Sequence, residues 1–180
     1  MKKIIHKLFM AWDFEEEEKW INEMAAKGLE LTDMSLGRYV FEEGEQGAYQ
    51  YRVELLEYLP NHPQSEQYIR FMEETGIEHV ASMNRWVYFR KKADEGSFEL
   101  YSDTDSKITH LKRINVILFV ALVGQLWCSI LNLCFGISNK FWFNVGAGCF
   151  TLVLGIFILV GMIRIMKKIG KLKKQRDIYG

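Results

Sequence analysis

The chain has 180 residues, of which 49% are hydrophobic, and its 23 basic and 23 acidic side chains give no net charge. This length allows one small domain beside two apolar stretches, and the three cysteines fall inside those stretches, which excludes a disulfide framework. No P-loop, nucleophile elbow, CxxC or paired-histidine metal motif is present, so we expect no catalysis, no cofactor and no metal. The charge is divided: residues 1–106 have 12 basic and 22 acidic side chains, and residues 107–180 have 11 and one.

Residues 1–92 are predicted to form a cytoplasmic α+β domain that begins with a strand and a helix. Asp13 is placed to cap this helix and Gly28 to end it. Its one buried stripe would consist of Phe14, Ile21, Met24 and Ala25. The run Glu15–Glu18 is interpreted as a solvated helix start rather than an ion site, because consecutive helical side chains point in different directions.

Turn signals at Gly37 and at residues 44–47 divide the segment after Gly28 into three short antiparallel strands. Pro63 opens a second helix, Gly76 ends it, and IEHVASM and RWVYFRKK form a further hairpin. The two halves resemble each other, with second hairpin strands that read RYVF and RWVY, which indicates an internal duplication. We therefore expect a small antiparallel sheet with two helices on one face, a ferredoxin-like variant, followed by a transmembrane α-helical hairpin.

Aromatic residues alternate with arginines along the predicted strands, and two of them, Tyr51 and Trp86, are the candidate surface for a ligand or partner. Such alternation is also typical of single-stranded nucleic-acid binders. The acidic charge of the domain argues against nucleic acid, because phosphate contacts need a positive surface. We interpret the aromatic residues as core on one face of the sheet, with the arginines on the other.

Two uncharged apolar stretches, residues 114–135 and 141–163, are each long enough to cross a bilayer as a helix. Residues 93–113 are predicted to be a linker and juxtamembrane segment, and residues 136–140 a short extracytoplasmic turn. Most basic residues of this region lie outside the pair of stretches, so the positive-inside rule places both chain ends in the cytoplasm.

Polar and small residues repeat at helical spacing in both spans. They are Gln125, Ser129 and Asn132 in the first span, and Asn144, Gly148, Thr151 and Gly155 in the second. The pairs expected in an antiparallel hairpin are Asn132 with Asn144, Ser129 with Gly148, Gln125 with Thr151, and Ala121 with Gly155. We interpret this stripe as packing within one hairpin; the alternative is that it recruits a membrane partner or forms a homo-oligomer.

The tail, residues 164–180, is strongly basic. Its cations are Arg164, Lys167, Lys168, Lys171, Lys173, Lys174 and Arg176. Because they follow a span directly, they are expected to lie against the anionic lipid bilayer, with about 1 kcal/mol per cation. A contact between this tail and the acidic domain is the alternative.

The segments WDFEEEEKWINEMAAKGLEL, SLGRYVFEEGEQGAYQYRVELL, WVYFRK and LYSDTDSKI stand in this order before the two spans. In these motifs the chain resembles the bacterial two-span membrane family known only as domain of unknown function 2812, whose members are often encoded near PadR-type regulators. Leu29 departs from the tryptophan that the family favours after the helix-ending glycine. The resemblance implies a bacterial cell-membrane protein with two spans and a cytoplasmic head, without established activity or catalytic residues.

From these features we expect a membrane-anchored interaction or regulatory module whose cytoplasmic domain binds a protein partner such as a regulator or transporter. The alternative is a membrane-tethered sensor that holds a small apolar ligand on the sheet face, between aromatic residues such as Tyr51 and Trp86.

Overall fold

A computed structural model of the chain describes residues 2–101 and 103–179, with side chains up to residue 177. The chain divides into two compact units, and the boundary lies between residues 102 and 103. The first unit is an α+β domain, and the second is a hairpin of two long helices. The predicted fold class is therefore confirmed.

Within residues 2–101 the chain forms strands and helices in the order β-α-β-β, and this order occurs twice. The elements are β1 (Lys2–His6), α1 (Phe14–Ala25), β2 (Leu29–Ser35), β3 (Arg38–Glu43), β4 (Tyr49–Leu55), α2 (Pro63–Glu74), β5 (Glu78–Met83) and β6 (Trp86–Lys92). All strand pairs are antiparallel. Both predicted helices are present and start within one residue of the expected positions.

The strands pair as two sheets of three rather than as one sheet. The strand orders are β1-β3-β2 and β4-β6-β5, so the two halves have the same connectivity. Their hairpins share an irregularity, because the pairing shifts between Leu31 and Asp33 in β2 and between His79 and Ala81 in β5. A bulge twists a strand and disrupts further pairing. The bulged strands β2 and β5 lie against each other and remain the edges of separate sheets.

The two ladders align the halves differently from the sequence motifs. Leu31 pairs with Phe41 in the first hairpin, and His79 pairs with Phe89 in the second. Arg38 of the first half therefore corresponds to Trp86 of the second half. Alignment of the motifs RYVF and RWVY would instead match Arg38 to Arg85. Side chains alternate between the two faces of a strand. This shift of one residue therefore sends the Tyr88 side chain to the face of β6 opposite to the one that the motif alignment implies.

Two groups of buried side chains within residues 2–101 belong to the core of the first unit. The larger group surrounds Trp20, Ile21 and Ala25 of α1 and takes residues from both sheets. The second group lies between α2 and the other face of the second sheet, and consists of Leu56, Met72, Val87, Phe89 and Phe98. Alternation along β6 sends Tyr88 into the first group and its neighbours into the second. The helices thus pack against opposite faces of the second sheet, in contrast to the predicted arrangement on one face.

The predicted linker, residues 93–113, is not one segment in the structure. Phe98 is 2% exposed within the second core group, and its backbone N–H donates to Oε1 of Gln50 at 3.1 Å. Residues 93–101 therefore pack on the first unit. Further along, Asp103 accepts the N–H of Ser106 at 2.7 Å and caps a helix that already begins at Thr104.

The polar side of α1 lies along the free edge of β4, the outer strand of the second sheet. Asn22 accepts the N–H of Tyr51 at 2.8 Å and donates to its carbonyl at 3.0 Å. Glu18 accepts the N–H of Val53 at 3.0 Å. These side chains satisfy the groups that a neighbouring strand would otherwise bond.

The second unit consists of α3 (Thr104–Asn139) and α4 (Trp142–Tyr179). Lys140, in the left-handed region with a φ of 55°, ends α3 and reverses the chain. Beside this turn, a Cβ added to Gly136 would lie 2.7 Å from the backbone nitrogen of Val145, so glycine allows the helices to approach closely. Among the described residues, these two helices are long and apolar enough to cross a membrane.

Both helices extend beyond the predicted spans. They contain 36 and 38 residues, which corresponds to about 54 and 57 Å at 1.5 Å per residue, against a hydrocarbon core of about 30 Å. The predicted turn at residues 136–140 is helical as far as Asn139, and the basic tail is the last part of α4. A continuation of α4 therefore replaces the separate tail that the sequence predicts.

Candidate functional site

A buried carboxylate lies where the two sheets of the first unit meet. Glu17 of α1 is 7% exposed. The hydroxyl of Tyr39, from β3 of the first sheet, donates to its Oε1 at 2.6 Å. The hydroxyl of Tyr88, from β6 of the second sheet, donates to the same atom at 2.6 Å. Glu17 thus connects the two halves of the domain through hydrogen bonds shorter than is usual between neutral groups.

The helical spacing explains why this glutamate is buried. Glu17 lies three residues after Phe14 and four before Ile21, on the stripe that α1 turns toward the core. The interpretation of Glu15–Glu18 as a solvated run is therefore wrong for its second half. Glu15 and Glu16 are exposed, whereas Glu18 is half-buried with its Oε1 3.4 Å from Nη1 of Arg52. A glutamate on an otherwise apolar stripe was the signal in the sequence.

Burial sets the protonation of the three groups. Burial raises the pKa of Glu17, and the hydrogen bonds from Tyr39 and Tyr88 partly oppose that rise. Burial, together with the nearby Glu17, raises the pKa of both tyrosines. The tyrosines therefore remain protonated donors over the physiological pH range, and Glu17 is the group that titrates.

A cavity of about 200 Å³ lies directly beside this carboxylate. Its walls come from the segment before α1, from α1 itself, from both hairpins and from the turn between β2 and β3. The aromatic residues among them are Phe9, Phe14, Tyr39, Trp86 and Tyr88. Met34 and Met83 contribute flexible apolar surface. The site is an aromatic pocket with an acid at its wall.

The rim of the cavity is unusually apolar for an exposed surface. Leu8 is 64% exposed and Leu36 is 79% exposed, and both line the cavity. The backbone N–H of Lys7 donates to the carbonyl of Gly37 at 2.9 Å, which holds the segment before α1 against the β2–β3 turn. An apolar rim that leads to a buried acid is the arrangement expected of a ligand site.

A wider depression of about 650 Å³ lies at the other end of the domain, near Gly47 and Lys92. Most of its lining is exposed and of mixed charge, including Glu45 and Asp94. Among the described residues, no group of three histidine, cysteine, aspartate or glutamate side chains is arranged to hold a metal ion. The cavity beside Glu17 is therefore the better candidate.

The two residues predicted as a ligand or partner surface are not together. Trp86 lines the cavity, with its ring 5.9 Å from that of Phe14. Tyr51 is 1% exposed in the core, where its hydroxyl accepts the N–H of Leu31 at 3.0 Å. Tyr51 therefore ties the bulge of β2 to the second sheet and has no place in the site.

The structure brings most of the polar stripe of the hairpin together. Asn144 donates to Asn132 at 3.2 Å. Across the next turns, Ser129 donates to the carbonyl of Gly148 at 2.8 Å and Gln125 to that of Thr151 at 3.2 Å. The atoms nearest to a Cβ added at Gly155 belong to Leu122, Leu126 and Gln125. These contacts join α3 and α4 within the hairpin.

The basic residues of the tail lie along the end of α4. They are Arg164, Lys167, Lys168, Lys171, Lys173, Lys174 and Arg176. Nη1 of Arg176 lies 2.8 Å from Oδ1 of Asp105, in the first turn of α3. The last turns of α4 therefore run beside the first turns of α3. Arg176 is 13 residues beyond residue 163, about 20 Å along the helix.

The buried acid predicts a specific pH dependence of stability. The free energy of unfolding, relative to that of Glu17→Gln, is expected to fall as pH rises from about 4.5 to the raised pKa of Glu17, and then to stay constant. The reason is that the folded domain keeps a proton that the unfolded chain, with the ordinary value of 4.5, has lost. Burial also raises the pKa of Glu18, but Glu18 is present in both proteins. Its contribution to the free energy of unfolding therefore cancels in the difference.

Urea unfolding of the full-length protein in detergent micelles, from about pH 4 to about pH 8, measures this difference. A difference that is independent of pH would contradict the burial of a titrating carboxylate at position 17.

The comparisons with known proteins agree with the motifs of the chain. The family model described as protein of unknown function (DUF2812) matches residues 13–123, from the cap of α1 into α3. The match covers more than half of the chain and includes Glu17, Tyr39 and Tyr88. No curated protein and no solved structure matches. The chain therefore belongs to this family of proteins of unknown function, DUF2812.

Proposed function

We propose that the protein is a membrane-anchored sensor whose cytoplasmic domain binds a small apolar ligand in the cavity beside Glu17. The observation that supports this function is the cavity itself, in which an apolar rim leads to a buried acid held by two tyrosine hydroxyls. Both halves of the domain supply walls, so an occupied cavity would fix one half against the other. Binding would thereby change how rigid the domain is.

The chemistry of the cavity favours binding over catalysis. Its ionisable groups are Glu17 and two tyrosines whose raised pKa values keep them protonated. A single acid with fixed donors provides no nucleophile and no separate base. We therefore propose a non-enzymatic role.

Membrane anchoring by α3 and α4 is part of the proposal. The most apolar windows of the two helices are only 17% and 22% buried, so most of their apolar surface is left for lipid. The excess of basic residues after residue 163 supports an orientation with both chain ends in the cytoplasm. In this orientation Arg164, Lys167 and Lys168 lie near the headgroups, and the more distant cations extend into the cytoplasm.

A thermal-shift screen of small apolar compounds on the full-length protein in micelles tests the sensor. A ligand at 100 times its Kd stabilises the folded state by about 2.7 kcal/mol, which is about 10–20 °C for a domain of roughly 100 residues. Ala11→Phe, which places a ring in the cavity wall, is expected to abolish the shift. Ala26→Phe, at the exposed end of α1, is the matched control and should keep it.

A docking module for a protein partner, such as a regulator or transporter, is the second candidate. The exposed Leu8 and Leu36 at the same cavity rim favour it, because exposed apolar patches mark contact surfaces. A screen in which no compound stabilises the wild type would contradict the sensor and favour this alternative.

A further inference from the structure

We propose that the ligand of the cavity carries a protonated amine on a small aromatic or aliphatic body. The inference rests on the proposed sensor function and names the chemical class of its ligand. The ammonium would lie against the Glu17 carboxylate, and the apolar body would lie among the aromatic rings.

Glu17 has no cation beside it among residues 2–101, whereas two half-buried carboxylates of the first unit each have an arginine. Oε1 of Glu18 lies 3.4 Å from Arg52, and Oε2 of Glu30 lies 3.3 Å from Arg90. Within residues 2–101, Glu17 makes no ion pair, and its partners are the neutral hydroxyls of Tyr39 and Tyr88. Buried carboxylates are ordinarily paired, because an uncompensated charge is costly in an apolar environment. A ligand ammonium would supply the missing positive charge.

The lining of the cavity is selective for the sign of a ligand's charge. Among the described residues, its lining contains no lysine, arginine or histidine. An anionic ligand would therefore face Glu17 without a compensating cation in the lining. A cation, in contrast, would be attracted by the acid and by the faces of the surrounding aromatic rings.

The aromatic cluster beside the cavity already holds a cation. Nζ of Lys7 lies 4.6 Å from the ring centres of both Phe9 and Trp20. Phe9 is also part of the cavity wall, where its ring meets that of Tyr39 at 6.3 Å, edge to face. Of the two rings that contact the Lys7 ammonium, that of Phe9 thus also borders the space that a ligand would occupy.

The volume limits the size of the ligand. The cavity measures about 200 Å³, and at roughly 30 Å³ per water it would hold about seven waters. A single ring with a short amine-bearing arm, such as benzylamine, belongs to this size class. Benzyl alcohol and benzoate have the same ring as benzylamine and nearly the same length. Benzyl alcohol carries a neutral hydroxyl group, and benzoate carries a negative carboxylate.

Binding of these three probes to the full-length protein in micelles tests the inference. Calorimetric titration at about pH 7, corrected with protein-free micelles, gives each Kd. We expect benzylamine to bind the wild type at least about tenfold more tightly than benzyl alcohol, because a charge-assisted hydrogen bond replaces a neutral one. Benzoate should bind most weakly. Glu17→Gln should lose the preference for the amine, and Glu16→Gln, an exposed neighbour on the same helix, should retain it.

The outcomes separate the two proposals. Equal binding of benzylamine and benzyl alcohol to the wild type, or an amine preference that survives in Glu17→Gln, would overturn the amine inference and leave the sensor function standing. The amine inference would also be overturned, and the sensor function would stand, if none of the three probes binds but an uncharged compound from the thermal-shift screen does. If no compound of either kind binds the wild type, both proposals fail.

Discussion

Glu17→Leu is expected to lower the free energy of unfolding of the first unit by about 2–4 kcal/mol. The substitution removes the shared acceptor of Tyr39 and Tyr88 and leaves two hydroxyls unbonded in the core, each at a cost of about 1–3 kcal/mol. Relief of the buried charge offsets part of this loss. Urea unfolding of the full-length protein in micelles measures the change, and Glu16→Leu on the exposed face should stay within about 0.5 kcal/mol of wild type.

Removal of all three polar groups should restore most of the lost stability. In the triple variant Glu17→Leu, Tyr39→Phe, Tyr88→Phe, no hydroxyl remains without a partner, and replacing both sides of a buried hydrogen bond is often nearly neutral. We expect a free energy of unfolding within about 1 kcal/mol of wild type. A triple variant no more stable than Glu17→Leu alone would contradict the hydrogen-bond network as the cause. Such a variant would also be unable to pair with an amine, so stability and ligand binding become separable.

Gly136→Ala is expected to destabilise the helical hairpin by about 1–3 kcal/mol, although alanine is the better helix former. Its new Cβ would lie 2.7 Å from the backbone nitrogen of Val145 and 3.0 Å from the carbonyl oxygen of Phe141. Backbone atoms at the start of α4 cannot rotate away, so the two helices would have to separate. Unfolding of the full-length protein in mixed micelles, by increasing sodium dodecyl sulfate, measures the effect.

Gly146→Ala provides the matched control for this change. Gly146 lies in α4 with open space around the position of an added Cβ. The Gly146→Ala variant should therefore be as stable as wild type, or slightly more stable. Loss of the polar contact in Gln125→Leu should cost less than Gly136→Ala, about 0.6 kcal/mol. Equal effects of Gly136→Ala and Gly146→Ala would show that close helix approach does not stabilise the hairpin.

Local sequence signals predicted the elements of the domain but not their assembly. Gly28, Pro63 and Gly76 mark helix ends because their backbone constraints act locally. The division into two sheets depends on the bulges near Thr32 and Val80, whose side chains resemble those of any strand residue. Which face of a sheet a helix covers depends on register, and a one-residue shift exchanges the faces.

The candidate site was only partly visible in the sequence for a similar reason. Trp86 was identified from alternation along its strand. The run of four glutamates favours an exposed Glu17, although its spacing from Phe14 and Ile21 places it on the buried stripe. Tyr39 and Tyr88 come from different sheets, so only the folded chain brings both hydroxyls to one carboxylate oxygen.

The side chains along β4 have a consequence for the addition of foreign strands at this edge. A bare outer strand is a template on which strands of other molecules assemble. Here Asn22 and Glu18 occupy the backbone groups of Tyr51 and Val53, so a foreign strand could add at β4 only after α1 had detached. Detachment would also break the bonds of Glu17 and open the cavity. A ligand that holds α1 in place would therefore also shield this edge of the domain from strand addition by other molecules.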